Sequence, residues 1–545
     1  MIKKLQKRSL SLPPGLLPSS GVLILYMLIA AVSSVLFTQD NNWDLRNYHF
    51  YNAFAYFNDR SGLDILAAQL QSFFNPILDN FLYVLIVNFR PITVGAILGM
   101  IHGLNYFLVF KITEASFSRI ESHSLAFRSF SLQITSFKLA LLVSFAAFVA
   151  PASFNLLGTS YHDNFVSIPL LLSIFFIIKA LDAQENRLLL LLFLGGIAAG
   201  ISFGIKMTSL IIILASTVAM FIVLPKLWTK LQGVAIYGGG IITGALFSGG
   251  FWYWRMWETY GNPIFPFFNN IFKAPDVFNV AIRDARYLPT SFIDGLLYPF
   301  YFMYNSAYTY GQGSFSDLRF AILFVIIIVW GLKIIFDRTK GVKQPTLSKE
   351  FTFLLIFFST AYVIWLVQFS IYRYLFMLEA LAFLPITILV YQLFPSKKIG
   401  TTFIVGFIIL TALYGSFPRH HRIPWQENYI NASFPALEGL DSSVVILGGK
   451  RPTACFAPLF PPTTKFMRLS SNMHHYISAN SRFSQQIFDL LASHQGNFYL
   501  LSWGNFIPQE QRMFQALDFE IDTRRSWRFN NPHEPRLQIW KVNRK

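Results

Sequence analysis

Apolar stretches of roughly 18–21 residues recur along the chain, about the length needed to cross a bilayer core of ~30 Å as a helix. They fall at residues 21–38, 91–110, 138–156, 164–181, 188–205, 207–225, 232–250, 319–336, 351–368, 374–394 and 400–416. The loops between them are of two kinds. One kind is short and basic: the start (Lys3, Lys4, Lys7, Arg8), 111–138, 179–187, 226–230, 333–350 and 395–398. The other is longer, aromatic and mixed in charge: 39–90, 157–163, 251–318 and the tail after 416. Eleven crossings from a cytoplasmic N-terminus let the two kinds alternate sides without conflict, with Lys and Arg collecting inside. The first run, with its basic start and Ala31-Val32-Ser33, also has the form of a cleavable signal. Its length and the charged segment directly behind it favour a retained helix.

Two outer segments predict interfacial helices. Residues 76–90 are apolar but too short to span, and counting them as a crossing would put basic loop 111–138 outside. In 45–58, Leu45, Tyr48, Phe54 and Phe57 line one side, with Arg46 and Asn47 on another. Beyond 416 the long apolar runs stop. Residues 443–449 and 497–501 read as buried strands and 484–491 as a helix, which predicts a small soluble α/β domain over 417–545. The fold expected is therefore mainly α: a polytopic bundle of about 11 transmembrane helices over 1–416, with outer interfacial helices and a C-terminal α/β domain.

Composition agrees. Of 545 residues, 54% are hydrophobic and only 13% charged, too little polar surface for a water-soluble globule. One cysteine, Cys455, excludes a disulfide scaffold. The net charge of +17 would suggest nucleic acid in a soluble protein. Here the short basic loops hold 19 basic and 6 acidic residues, so the charge is an orientation signal and no nucleic-acid partner is expected.

Charges at helix mouths are expensive and invite a functional reading. Asp40, Asp44, Arg46 and His49 follow the first span. A carboxylate there can take a proton from a hydroxyl or hold a divalent cation; Asp44 can also simply cap the helix that begins at Leu45. His162 and Asp163 precede the fourth span, and Asp163 shares an outer face with Asp44, either as its partner or as a cap. Lys206 joins two apolar runs with almost no loop, as a snorkelling lysine or a fixed cation for a lipid phosphate. Arg373 suits bidentate phosphate recognition, with Tyr374 beside it. Glu379 either supports the site or pairs with Arg373 or Lys206. In loop 251–318, Arg255, Arg283 and Arg286 add further cations. There is no P-loop, no dinucleotide fingerprint and no His-Glu-x-x-His, so a nucleotide-driven cytoplasmic enzyme has no support.

The Asp-bearing first outer loop (Asp40 to His49), the second outer acid Asp163 and the Gly-rich run ending in Lys206-Met207-Thr208 resemble the GT-C superfamily of integral-membrane glycosyltransferases. So do Gly261-Asn262-Pro263-Ile264-Phe265-Pro266-Phe267 and Arg373-Tyr374. The resemblance covers most of 21–416, through short motifs. It departs from the family in that the first-loop acids, often adjacent, are separated here as Asp40 and Asp44. The resemblance implies an inverting transfer of sugar from a polyprenyl-phosphate carrier to a glycan, lipid or protein acceptor, at the outer side of the inner membrane. Asp44 would be the general base, with Asp40 the alternative, and Asp163 would position the acceptor. Asp44 and Asp163 would hold any divalent cation, Mg or Mn. Lys206 and Arg373 would hold the lipid phosphate, and Arg46, His49, His162, Arg255, Tyr374 and Glu379 would bind or support. The competing readings are a lipid-linked oligosaccharide polymerase or ligase, using Arg255, Arg283 and Arg286, and a multi-pass transporter without chemistry.

Overall fold

The computed structural model describes residues 16–119, 123–126, 131–304, 316–342, 346–415, 421–473, 481–531 and 533–545. The basic start and the expected domain boundary at 416–417 lie outside the described residues. Eight of the described helices are long and apolar enough to cross a membrane, from Ser19–Leu36 to Lys397–Tyr414. Their outer faces stay apolar and uncovered, as at Ile242, Leu246 and Phe247.

The other three of the eleven expected runs are also apolar helices, but broken or shorter. The run at 374–394 is a broken pair, Tyr372–Leu381 and Phe383–Leu393, bent by 45°. The run at 138–156 gives a helix of only 13 residues, Ser136–Phe148, and then a second short helix, Pro151–Leu156. Pro151 has no N–H to donate, so it begins a helix rather than continuing one. The run at 207–225 is the short apolar helix Met207–Val223.

The first helix is built into the bundle. Glycines Gly99 and Gly103 on helix Pro91–Ser116 let it approach so closely that a Cβ would stand 2.6 Å from the Ala30 carbonyl and 2.7 Å from that of Tyr26. Small residues at the interface are how apolar helices gain contact in lipid. The same device joins Glu185–Ile205 to Leu227–Tyr260: Gly196, Gly200 and Gly204 face Gly240, Gly244 and Ser248, spaced four apart on both helices. At its end this seam delivers Lys206. Asn75 holds the seam from the first loop, donating to the carbonyls of Gly204 and Ser248 at 2.8 and 2.9 Å.

The tail contains the expected strands and helix: Val444–Leu447, Phe498–Trp503 and Arg482–Ser493. Its five-stranded sheet runs Lys465–Met467, Val444–Leu447, Phe498–Trp503, Leu537–Arg544, Phe519–Arg528, the first three parallel and the last two antiparallel to their neighbours. The tail docks on the loop after the first span. Ile65 bridges edge residue Met467, Arg60 donates to the carbonyls of Pro462 and Thr464, and buried Arg468 donates to Ala67, Gly449 and Arg451 carbonyls. Residues Gln39–Asp40 pair with Arg422–Ile423 at the tail's beginning.

This docking corrects the expected helix at 45–58. It is a π-helical turn, Leu45–His49, followed by Phe50–Phe57, and the tail covers it. Asn47, expected on the polar side, is fully buried and donates to the Ala68 carbonyl at 3.1 Å. The other short helix is present as Ile77–Asn88.

Candidate active site

Four of the expected residues meet on the tail-bearing face of the bundle. Arg373 Nη1 donates to Asp44 Oδ2 at 2.7 Å, and its Nε stands 3.4 Å from Asp163 Oδ2. Lys206 Nζ donates to Asp163 Oδ1 at 2.7 Å. The Arg373 guanidinium lies over the Tyr161 ring at 4.4 Å, and Lys206 over Tyr374 at 5.0 Å. All four side chains are nearly buried, between 6% and 17% exposed. Two acids and two cations make a neutral set in a low dielectric, the condition under which buried charges are tolerated.

Each arrives there from a break beside an apolar helix. Lys206 is extended (φ −146°, ψ 114°) between the end of Glu185–Ile205 and the start of Met207–Ser209. Asp163 opens Asp163–Leu181, where the helix N-terminus favours an anion. Arg373 lies in the short turn Tyr372–Leu375 ahead of the bent pair. Asp44 enters the π-helical turn in helical conformation, and its side chain caps nothing. The cap is Asn42, whose Oδ1 accepts from Leu45 N at 2.8 Å.

Asp40 is differently employed. Its Oδ2 accepts from the backbone N and the hydroxyl of Ser160 at 2.8 and 2.7 Å, and its Oδ1 from Asn42 N at 3.1 Å. Four protein donors, counting the Asn42 amide, occupy it, and it staples the first loop to the 157–163 turn.

The remaining expected residues divide. Tyr374 joins the four. Arg46 is tied to Glu534 in the tail, and Arg255 lies over the Trp252 ring. Glu379 pairs with neither Arg373 nor Lys206, correcting that alternative: its oxygens accept from Ala152 N and Ser153 N at 3.0 Å, and from Tyr372 Oη. It caps the free N–H groups of helix Pro151–Leu156. Arg283 donates to the carbonyls of Val367 and Gln368, and Arg286 pairs with Asp284.

His49 and His162 form a second cluster around Asp79, an acid that the reading of 76–90 as an interfacial helix passed over. His49 Nδ1 and His162 Nε2 stand 2.6 and 2.8 Å from Asp79 Oδ1, with the two rings 4.0 Å apart. Burial pushes the Asp79 carboxyl well above its ordinary value and both imidazoles well below theirs. The signal for Asp79 was its place as a lone acid in an apolar run. Among the described residues this is the group of His, Cys, Asp and Glu spaced to hold a metal ion. Asp44 and Asp163 are not in that group, and one oxygen of each is taken by a cation, Asp44 Oδ2 by Arg373 and Asp163 Oδ1 by Lys206.

Fold and site together define a polytopic helical membrane protein with a neutral buried charge cluster beneath a small α/β domain. No protein-family model matches the chain, and no curated protein does. Among solved structures it is similar to the crystal structure of ArnT from Cupriavidus metallidurans bound to undecaprenyl phosphate, at 9% identity and a TM-score of 0.49, covering 96% of this chain and 97% of that one.

Proposed function

We propose that the chain is a GT-C-type glycosyltransferase of the inner membrane, moving sugar from a polyprenyl-phosphate carrier to an acceptor hydroxyl on the tail-bearing, extracytoplasmic side. The observation that carries this reading is the Asp44–Arg373–Asp163–Lys206 set. Two cations where apolar helices stop suit a lipid phosphate, which carries one negative charge as the sugar diester and gains a second as the sugar leaves, and each is held by an acid that the phosphate can replace. In the transfer, Arg373 and Lys206 move onto the carrier phosphate, leaving Asp44 to accept the acceptor's hydroxyl proton. The acceptor oxygen bonds to the anomeric carbon as its bond to the phosphate oxygen breaks, with inversion. The phosphate leaves with the electron pair, stabilised by the two cations. Asp163 orients the acceptor. Asp40, with four protein donors on its carboxylate, has no capacity left for a proton; this favours Asp44 as the base.

The test is mass spectrometry of envelope glycans and lipid carriers in cells lacking the gene, complemented with wild type or Asp44→Asn. The expected result is a missing sugar branch restored by wild type alone. A lost polymer ladder would instead indicate the polymerase, an unchanged glycan profile would indicate transport, and near-normal transfer by Asp44→Asn would remove it as the base.

A further inference from the structure

His49, Asp79 and His162 come from three separate segments: the π-helical turn, helix Ile77–Asn88 and the turn before Asp163–Leu181. Their side chains are 0%, 0% and 6% exposed, and one ligand atom from each lies within 4.8 Å of the others. Both imidazole nitrogens point at the same carboxylate oxygen. The four-residue charge set is already neutral, so Asp79 is a further buried acid. Among the described residues no Lys or Arg is within ion-pair distance of it, and its other oxygen has only the Asn52 amide at 3.5 Å. His49 Nε2 is buried without a partner, which argues against a doubly protonated, charged ring as the counter-ion.

We propose that His49, Asp79 and His162 bind one divalent transition-metal ion of the zinc type, which locks together the segments that carry Asp44 and Asp163. Two imidazoles and one carboxylate are the ligands of a borderline metal, whereas magnesium seeks a shell of oxygens. A tetrahedral ion with ligand bonds of about 2.0–2.2 Å sets its ligand atoms about 3.3 Å apart. Loading therefore opens the 2.6 and 2.8 Å contacts by roughly half an ångström each, within reach of small side-chain rotations. Three protein ligands leave the fourth position for water. The ion's role follows from the chain: His162 directly precedes Asp163, and His49 follows Asp44 by five residues, across the π-helical turn. Fixing the two histidines on one centre fixes the spacing of the two acids. This moves the metal expected on Asp44 and Asp163 to ligands that are not held by cations.

The test titrates the chelator-stripped full chain, in detergent, with Co²⁺ and follows visible d–d absorption. One equivalent should bind with the intensity of a tetrahedral site and be displaced by Zn²⁺. Asp79→Asn and His162→Gln should each weaken binding roughly 100-fold or more, while Asp44→Asn leaves it within a few-fold. A wild-type chain that takes up no cobalt overturns the site without need of any variant. Cobalt lost in Asp44→Asn but kept in Asp79→Asn overturns the ligand assignment. The inference stands apart from sugar transfer: a metal-free chain that still transfers sugar refutes the ion alone, and a loaded chain active as Asp44→Asn refutes the base alone.

Discussion

Replacing Arg373 by Ala removes the cation that touches both acids of the set. Asp44, 8% exposed, then keeps no cation at ion-pair distance among the described residues, and Asp163 keeps only Lys206. Breaking a fully buried pair costs about 3–5 kcal/mol; with side chains 11% and 13% exposed, about 2–4 kcal/mol is expected here. Lys at this position keeps the charge but reaches one acid, for about 1–2 kcal/mol. The contact ties the bent span to the loop on which the tail sits, so its loss should show as opening of that layer. Cys455 reports it. It is the only cysteine, 1% exposed, in one apolar cluster with Leu45, Tyr48 and Phe50, and burial pushes its thiol up to about 12, so the closed protein reacts far more slowly than an opened one. At about 1.4 kcal/mol per tenfold, Arg373→Ala should label roughly 30- to 1,000-fold faster than wild type. The cycle with Asp44→Asn is decisive, because the double variant leaves Asp163 and Lys206 as a neutral pair. It should be more stable than the sum of the singles predicts, by about 1.5–3 kcal/mol. Wild-type labelling in Arg373→Ala, or strict additivity in the cycle, refutes the neutral-set reasoning.

Three further outcomes are expected. Gly244→Val should disrupt the seam that delivers Lys206, since even a Cβ would stand 2.1 Å from the Ile197 carbonyl, whereas Gly239→Ala meets nothing within 4 Å; loss of folded protein on size exclusion in the first alone checks this. Burial raises the Glu510 carboxyl from 4.5 to about 7, against the opposing pull of Arg468, so ionisation disfavours the fold increasingly as pH climbs from 4.5 to 7 and fully above it. Glu510→Gln should therefore slow Cys455 labelling relative to wild type at pH 8, by up to about 3 kcal/mol, and have little effect at pH 5; equal effects at both would refute it. Asp40→Asn replaces a carboxylate that takes four donors, and should destabilise the first loop by about 1–3 kcal/mol in the same assay, with no change meaning that the staple is not needed.

The residues of the charge set were legible because each stands where an apolar run stops, and an ion there is conspicuous against its surroundings. Their pairing was not. Arg373 lies six residues from Glu379 but bonds Asp44, 329 residues away, because Glu379 is taken by the free N–H groups at Pro151–Leu156. Asp79 obeyed the same contrast rule, yet its segment read as surface helix, where a carboxylate is hydrated. What buries it is a loop structure held by a tail some 400 residues further along. The bend at 374–394 had no local mark at the break itself, Ala382, and the π-helical turn at Leu45–His49 has no known sequence signal in this chain. Asn42 and Asp44 are equally good caps by type. Asn42 takes the role with its carbonyl oxygen while its amide holds Asp40, leaving Asp44 for Arg373.

That division of labour bears on how the proposed chemistry begins. A carboxylate base among buried aromatics is stable only while something neutralises it, and a phosphate-binding cation has the same requirement in reverse. Pairing Asp44 with Arg373 and Asp163 with Lys206 satisfies both at no net charge. A lipid phosphate suits both cations together: the sugar diester brings one negative charge, and a second develops on the phosphate as the sugar leaves. Its binding leaves both acids without partners, and an unpartnered buried carboxylate is a stronger base than a paired one. On the proposed reading, donor binding itself frees Asp44 from its cation. The acceptor hydroxyl then meets an active base only when a donor is in place. A chain with Arg373→Ala and an intact Asp44 should therefore show a base freed from donor control, with slow release of sugar to water in place of acceptor transfer. Coupled loss of release and transfer would mean that Arg373 serves the leaving phosphate alone.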